Sequence, residues 1–231
     1  MVKNPQHRVW SLFLAFLLVA PFAFAQEQED FGARMGVSAE KRLWKKLSVG
    51  LGEEFRLKNN CCDIDKWVTE TDASYTIVKR MFKVGVGYDL IGDWDEYAEV
   101  FDFKHRFNGY FVFKKDVSRF NIAWKSRYQL TYKDESYGRV KWNPKSYWRN
   151  KLNLSYNIRN SHFEPYLSFE CFYQLNNYKG NVVDRLRGQA GVSYDFTKQH
   201  SIDFSVRYNQ DIYVKKPERS CQLGLFYTYS F

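Results

Sequence analysis

A period of two in hydropathy runs through the chain and constrains the fold more than any other feature. Around residues 82–90, apolar side chains at Phe82, Val84, Val86, Tyr88 and Leu90 alternate with Lys83, Gly85, Gly87 and Asp89. Comparable segments recur to the last residue. Successive side chains of a strand point to opposite faces, so this alternation predicts β-strands with one apolar and one polar face. No segment after residue 25 shows helical amphipathicity, and the fold class is all-β.

The length of the alternating segments favours a membrane barrel over a sandwich. They extend over about 10–14 residues, whereas strands of globular proteins average about 5–6 and a tilted membrane strand needs about 9–11. Short connections near 79–81, 115–117, 159–161 and 197–199 alternate with longer ones near 59–66, 92–96, 134–146, 176–182 and 215–219. Short periplasmic turns and longer outer loops are typical of such barrels.

The sequence therefore predicts an antiparallel up-and-down transmembrane β-barrel of about 10–12 strands, closed so that every backbone donor and acceptor is paired. About eleven candidate strands are visible, but bacterial single-chain barrels usually have an even number. Either residues 31–40 do not form a full strand, which leaves ten, or a break near Gly109 divides the stretch 97–115, which makes twelve.

Composition argues against a helical membrane protein and against a nucleic-acid-binding protein. The mean hydropathy is −0.55, and no stretch after residue 25 is long and apolar enough for a membrane helix. The net charge of +9 is spread along the chain without a basic arm, and no recognition motif accompanies it, which argues against nucleic-acid binding.

Residues 1–25 have the features of a cleaved signal peptide. Lys3, His7 and Arg8 precede an apolar run from Val9 to Ala20, and Ala23-Phe24-Ala25 matches an A-x-A cleavage site before Gln26. The predicted domains are a signal peptide, 1–25, and an outer-membrane barrel, 26–231. The predicted location is the outer membrane.

The C-terminus carries the sharpest motif. Leu223, Leu225, Tyr227, Tyr229 and the terminal Phe231 alternate with smaller or polar residues. This pattern resembles the C-terminal strand signal that outer-membrane barrels present to their assembly machinery. We expect Leu225, Tyr227, Tyr229 and Phe231 to form that signal, with the barrel-assembly machinery, membrane lipid and lipopolysaccharide as partners.

Several short segments together resemble a bacterial outer-membrane family known as domain of unknown function 2490. They are Glu53-Glu54-Phe55-Arg56, Lys104-His105-Arg106-Phe107, Arg127-Tyr128-Gln129, Glu164-Pro165-Tyr166 and Arg185-Leu186-Arg187, which leads into Gly191-Val192-Ser193-Tyr194. The resemblance covers most of 31–231. It implies an outer-membrane barrel and supplies neither an activity nor a catalytic residue.

Cysteine, histidine and acidic residues form no recognised catalytic or metal motif. Cys61 and Cys62 lack zinc-finger spacing; in an exported protein one of them can pair with Cys221, while Cys171 falls on an apolar face. His162 and His200 lie beside short turns, and His105 is predicted to face lipid. Asp93, Asp95 and Glu96 form a loop cluster that we interpret as solvated. No metal or cofactor is expected.

The inward faces carry acids and bases in similar numbers, so salt-bridged packing of the lumen is the favoured interpretation. The functional alternative is a narrow channel with a basic track for an anionic solute, formed by Arg106, Arg127, Arg149, Arg185 and Arg187. We predict a non-enzymatic barrel, structural, surface-binding or a narrow channel, with an unknown ligand. The alternatives are an outer-membrane hydrolase acting on lipid or peptide and a soluble periplasmic lipid-binding barrel.

Overall fold

The computed structural model describes residues 29–133, 144–177, 180–213 and 217–231, and these form a closed β-barrel. Residues 1–25, the predicted signal peptide, lie outside the described residues. Eleven strands are formed by the described residues: β1 Glu29–Arg42, β2 Leu47–Lys58, β3 Asp63–Val78, β4 Phe82–Asp95, β5 Val100–Val117, β6 Phe120–Lys133, β7 Lys145–Tyr156, β8 Phe163–Gln174, β9 Val182–Asp195, β10 His200–Asp211 and β11 Arg219–Ser230.

Each strand pairs with its neighbours in the chain, and the first strand pairs with the last. Consecutive strands are antiparallel, as the sequence predicts, but β1 and β11 run parallel, with Glu29 opposite Arg219 and Glu40 opposite Ser230. The parallel pair follows from the odd number, because the first and last of eleven alternating strands point the same way. We call this pair the parallel seam.

Both ways of reaching an even number were wrong. Residues 31–40 lie inside β1, a full strand of 14 residues, and the stretch around Gly109 lies inside β5, a continuous strand of 18 residues. The total of eleven falls within the predicted range of 10–12.

The connections fall into two groups at opposite ends of the barrel. Those at 43–46, 79–81, 118–119, 157–162 and 196–199 lie with the C-terminal residue at what we call the short-turn rim. The others, at 59–62, 96–99, 134–144, 175–181 and 212–218, lie with the start of β1 at the long-loop rim. Two connections predicted to be long are four-residue turns, because β3 already begins at Asp63 and β4 continues through Asp95. The three longest connections lie partly outside the described residues.

The two faces of the barrel are inverted relative to a water-soluble protein. The outer face exposes large apolar side chains, among them Met35, Leu51, Val86, Phe107, Tyr128, Trp148, Leu167, Phe169 and Leu225. The inner face buries polar and charged side chains, among them Arg34, Glu54, Ser74, Asp89, Asn108, Gln129, Glu170, Ser205 and Asn209. In the described residues, no helix is long and apolar enough to cross a membrane.

Tyrosine side chains brace the inner wall by crossing over a glycine on the next strand. Tyr110 of β5 passes over Gly85 of β4 and donates its hydroxyl hydrogen bond to Asp72 of β3, with 2.6 Å between Oη and Oδ1. Tyr166 of β8 likewise passes over Gly191 of β9 to reach Asp203 of β10 at 2.9 Å. Each brace links three strands, and glycine is needed because a Cβ there overlaps the ring.

Candidate functional site

The lumen is the candidate site, because it gathers most of the charged side chains that the sequence places on the inner faces. All five arginines of the predicted basic track point into it. The strands bring them there because each occupies an inward position of its alternating segment, two residues from the next inward side chain.

A cluster around Glu170 of β8 joins the strands on one side of the lumen. One carboxylate oxygen of Glu170 accepts a hydrogen bond from Arg149 Nη2 at 2.8 Å, and the other accepts one from Arg187 Nη1 at 3.2 Å. The ring of Phe172 lies between the two guanidinium groups, 4.4 Å from Arg149 Cζ and 4.7 Å from Arg187 Cζ. Arg149 also donates to the side-chain oxygen of Gln129 on β6, and Arg187 donates to that of Asn209 on β10. A continuous series of polar contacts therefore runs from β6 to β10.

A second cluster closes the opposite wall. Glu54 of β2 accepts hydrogen bonds from Arg34 Nε of β1 at 2.6 Å and from Arg56 Nε at 2.7 Å. All three side chains point inward, and the side chains of Arg34 and Glu54 are almost fully buried. A carboxylate shared by two guanidinium groups compensates the cost of burying these charges.

Ion pairs neutralise most of the predicted basic track. Arg106 pairs with Asp89 at 3.3 Å and Arg185 with Asp211 at 2.5 Å, while Arg149 and Arg187 share Glu170. Arg127 is the exception, since no ion pair in the described part of the chain joins it to a carboxylate. A passage for an anionic solute along these five residues stays a prediction.

Several other cations of the lumen likewise lack an ion pair with a described carboxylate, among them Lys125, Lys151 and Arg207. Lys125 and Lys151 form no ion pair with a carboxylate among the described residues. Within the described residues, the acceptor of Arg207 is the side-chain oxygen of Gln189, which lies 3.2 Å from Nε and 3.0 Å from Nη2. Near the middle of β6, β7 and β10 the lumen therefore holds several cations that no described carboxylate contacts directly.

Glu70 shows that the lumen contains solvent-accessible space. It lies near the middle of β3 on the inner face, between Val68 and Asp72, yet its side chain is exposed. Its carboxylate interacts electrostatically with charged side chains of other strands, namely Asp89, Glu54, Arg56 and Arg127. An exposed carboxylate at this depth means that the charged clusters do not fill the whole cross-section.

The family match agrees with the resemblance drawn from the short segments. The chain matches the family described as a protein of unknown function (DUF2490) over residues 31–219. The chain belongs to the DUF2490 family. No curated protein is significantly similar to it.

The motifs that carry the DUF2490 resemblance supply many of the lumen contacts. Glu54 and Arg56 belong to the first, Arg106 to the second, Gln129 to the third, Tyr166 to the fourth, and Arg185 and Arg187 to the last. Each of these side chains makes a hydrogen bond or ion pair inside the barrel. In this DUF2490 chain the motifs are therefore parts of the lumen wall.

The acidic cluster at the long-loop rim of the DUF2490 barrel is built into ion pairs. Asp93 contacts Lys66 and Lys104, Glu96 contacts Lys58 at 2.8 Å, and Asp95 accepts backbone hydrogen bonds from Tyr97 and Ala98 within its turn. Across the described residues, no group of three or more His, Cys, Asp or Glu side chains is placed to hold a metal ion.

The histidines and cysteines lie away from the lumen. His105 faces outward, as predicted, with Nδ1 2.8 Å from the Tyr88 hydroxyl. His200 Nδ1 lies 2.6 Å from the Tyr227 hydroxyl, and the ring of His162 lies edge-on to that of Tyr194. No disulfide forms among the four cysteines, all of which are described. The bond to Cys221 that the sequence leaves open is therefore not formed in this structure.

The residues of the predicted C-terminal signal lie along the outer face of β11 and directly after its end. Leu225 and Tyr227 are exposed there, and Tyr229 packs edge-on against Phe231 with 4.5 Å between ring centroids. Lys41 Nζ lies over the Phe231 ring at 5.6 Å. The last residue is thus held beside the end of β1 at the short-turn rim.

One polar contact on the outer face was not predicted from the sequence. Glu53 lies near the middle of β2 and faces outward, where one carboxylate oxygen accepts hydrogen bonds from Trp67 Nε1 at 2.7 Å and Thr69 Oγ1 at 3.0 Å. It borders a shallow apolar groove with Met35, Phe55 and Leu225, beside the parallel seam. The available signal was the acid that interrupts the apolar series Leu51, Glu53, Phe55.

Proposed function

We propose that this DUF2490 protein is a non-enzymatic β-barrel of the bacterial outer membrane, whose lumen is a narrow passage that prefers anions. The inversion of its two faces carries the proposal. An apolar outer face and a charged, solvent-accessible inner face suit a bilayer around the barrel and water within it. The closed sheet leaves no strand edge unpaired, which a bilayer requires.

The preference for anions rests on the cations that lack a carboxylate partner. Arg127, Lys125, Lys151 and Arg207 point into the lumen, where Glu54 and Glu170 are held by other arginines and Asp72 by Tyr110. Glu70 is the nearby acid that forms no ion pair among the described residues, and its charge offsets part of that of Arg127. A narrow pore lined by uncompensated positive charge attracts anions and repels cations. In the same proposal, membrane lipid and lipopolysaccharide contact the outer face, and the assembly machinery recognises β11 through Leu225, Tyr227, Tyr229 and Phe231.

Ion selectivity tests the passage. We expect the refolded protein in planar bilayers under a potassium chloride gradient to show small conductance steps with a reversal potential shifted toward that of chloride. Arg127→Gln should reduce this shift, because it removes an uncompensated lumen charge. Arg119→Gln, in the exposed turn after β5, is the matched control and should leave selectivity unchanged.

Absence of conductance from a protein that migrates as a folded, heat-modifiable barrel would refute the passage. Recovery of the chain in the soluble fraction would refute the outer-membrane assignment and favour a soluble periplasmic barrel. Cation selectivity would contradict the role assigned to the unpaired arginine and lysines.

Glu53 offers a separate test of the bilayer assignment. In proteoliposomes we expect a hydrophobic carbodiimide, which partitions into the bilayer, to label this carboxyl, and a water-soluble carbodiimide to leave it unlabelled. The reason is that Glu53 lies near mid-strand on the outer face, where the proposal places hydrocarbon. Peptide mass mapping reads out the label.

Glu96, in a turn at the long-loop rim, serves as the comparison and should react with the water-soluble reagent. Glu53→Gln should abolish the hydrophobic label. Strong labelling of Glu53 by the water-soluble reagent in the folded protein would place water, and not lipid, against the outer face.

A further inference from the structure

Two like-charged pairs face each other across β6 and β7 on the lumen side. Arg127 lies directly opposite Arg149, and Lys125 lies directly opposite Lys151 in the next inward position. Side chains directly opposite on neighbouring antiparallel strands are about 4.5–5.5 Å apart at Cβ, so like charges there repel and destabilise the sheet. Two successive cationic pairs are therefore an unfavourable arrangement unless negative charge offsets them.

The protein itself offsets only one of the four charges by a direct ion pair. Arg149 is paired with Glu170, but Lys125, Arg127 and Lys151 have no such partner in the described residues. We call these three side chains the lysine–arginine site. The positive charges of Arg207, Arg187 and Arg149 also act on Lys151.

Two acids near the lysines are committed elsewhere, whereas Glu70, whose charge interacts with that of Arg127, forms no ion pair among the described residues. Asp72 acts on Lys125 electrostatically but accepts the Tyr110 hydroxyl with both oxygens, at 2.6 and 2.9 Å. Glu170 acts on Lys151 but holds Arg149 and Arg187 with its two oxygens. Lys83, on the same wall, adds further positive charge near Lys125.

Tyr110 holds part of the site in place. Its ring lies beneath Lys125, with 3.9 Å from Nζ to the ring centroid, and Arg127 Cζ lies 5.9 Å from the same centroid. The ring is fixed by its bond to Asp72 and by its passage over Gly85. An ammonium group over an aromatic face is attracted to the ring and still has further N–H groups that another acceptor can contact.

We infer that the lysine–arginine site binds a polyvalent oxyanion of the phosphate class inside the lumen. Two ammonium groups and one guanidinium group offer donors to several oxygens at once, and a dianion offsets most of the excess charge. A monovalent halide offsets one charge and accepts from fewer fixed donors. The inference deepens the proposed passage, because it names the substrate class held at the middle of its wall.

Binding is tested first without conductance. Inorganic phosphate and glycerol phosphate are titrated into the folded, detergent-solubilised barrel by calorimetry, at constant ionic strength set with potassium chloride. We expect saturable binding, weakened at least tenfold in the Lys125→Gln/Lys151→Gln variant. Lys145→Gln, at the inward start of β7 near the long-loop rim, is the matched control and should bind like the parent.

The same ligands are then added to planar bilayers, where we expect phosphate to reduce the chloride current in the parent and in Lys145→Gln, but not in the double variant. Tighter binding of glycerol phosphate would identify phosphate esters as the ligand; equal binding would identify the free oxyanion.

The anion passage and the phosphate site can be refuted independently of each other. Conductance without phosphate binding would overturn the inference and leave the anion passage in place. Phosphate binding without conductance would overturn the passage and leave the site. If the double variant binds phosphate as the parent does, while both show the heat-modifiable gel shift of a folded barrel, the assignment to these lysines is wrong.

Discussion

Replacing Glu170 by glutamine is expected to lower the free energy of unfolding by about 3–5 kcal/mol, the range for removing one partner of a buried ion pair. The side chain of Glu170 is 9% exposed and those of Arg149 and Arg187 are 11% and 14% exposed. Glutamine keeps the shape but leaves two guanidinium groups facing each other across Phe172 without their shared carboxylate. Urea unfolding of the barrel in lipid vesicles, followed by tryptophan fluorescence, measures the change.

Glu164→Gln is the matched control for this prediction. Glu164 also faces inward on β8, nearer the short-turn rim, and makes no ion pair within the described residues. We expect its replacement to change the unfolding free energy by no more than about 0.5 kcal/mol, as for ordinary surface substitutions. Equal effects at both positions would show that the Glu170 cluster does not stabilise the barrel.

Gly191→Ala is expected to destabilise the barrel by about 1–3 kcal/mol, the usual cost of overpacking. An alanine Cβ there lies 2.6 Å from both Cζ and Oη of Tyr166. The ring cannot easily retreat, because its hydroxyl donates to Asp203 at 2.9 Å and accepts from Gln189 at 2.8 Å. The same unfolding measurement applies, and Tyr166→Ser in the Gly191→Ala background should recover part of the loss by removing the clash.

Gly188, three residues earlier on β9, provides the contrast. No atom lies within 4 Å of a Cβ added at Gly188. Alanine there should be neutral or stabilise by about 0.4–1 kcal/mol, because it restricts the unfolded chain. If Gly188→Ala destabilises as much as Gly191→Ala, the effect belongs to strand glycines in general and not to the tyrosine brace.

The local pattern was sufficient to predict the strands and their faces. The series Phe82 to Asp89 alternates without interruption, and the structure places its apolar members outside and its polar members inside. Pairing with a distant strand was not predictable in the same way. Residues 31–40 pair on one side with the adjacent strand β2 and on the other with β11, almost two hundred positions later, and no local signal reports the second contact.

The candidate site was predictable as a set of inward charges but not as a set of partners. Arg149 and Arg127 look alike in sequence, since each is an arginine at an inward position of a strand. Register alone separates them: it brings Glu170 within reach of Arg149 and sets Arg127 opposite another arginine. A β-bulge between Phe172 and Tyr173 also shifts the register between β8 and β9. The alternation of apolar and polar residues in the sequence does not reveal where a bulge lies.

The parallel seam has a consequence for rearranging the order of the strands. In a barrel with an even number of strands, the N-terminus of the first strand and the C-terminus of the last strand lie at the same rim, and a short linker can join them in a circular permutant. Here Glu29 lies at the long-loop rim and Ser230 at the short-turn rim. A linker joining them must travel the height of the barrel, through the charged lumen or along the apolar outer face. Circular permutation is commonly tolerated when the chain termini are close together, and this barrel does not meet that condition. Cutting the chain within a loop would therefore divide the barrel into two separate fragments.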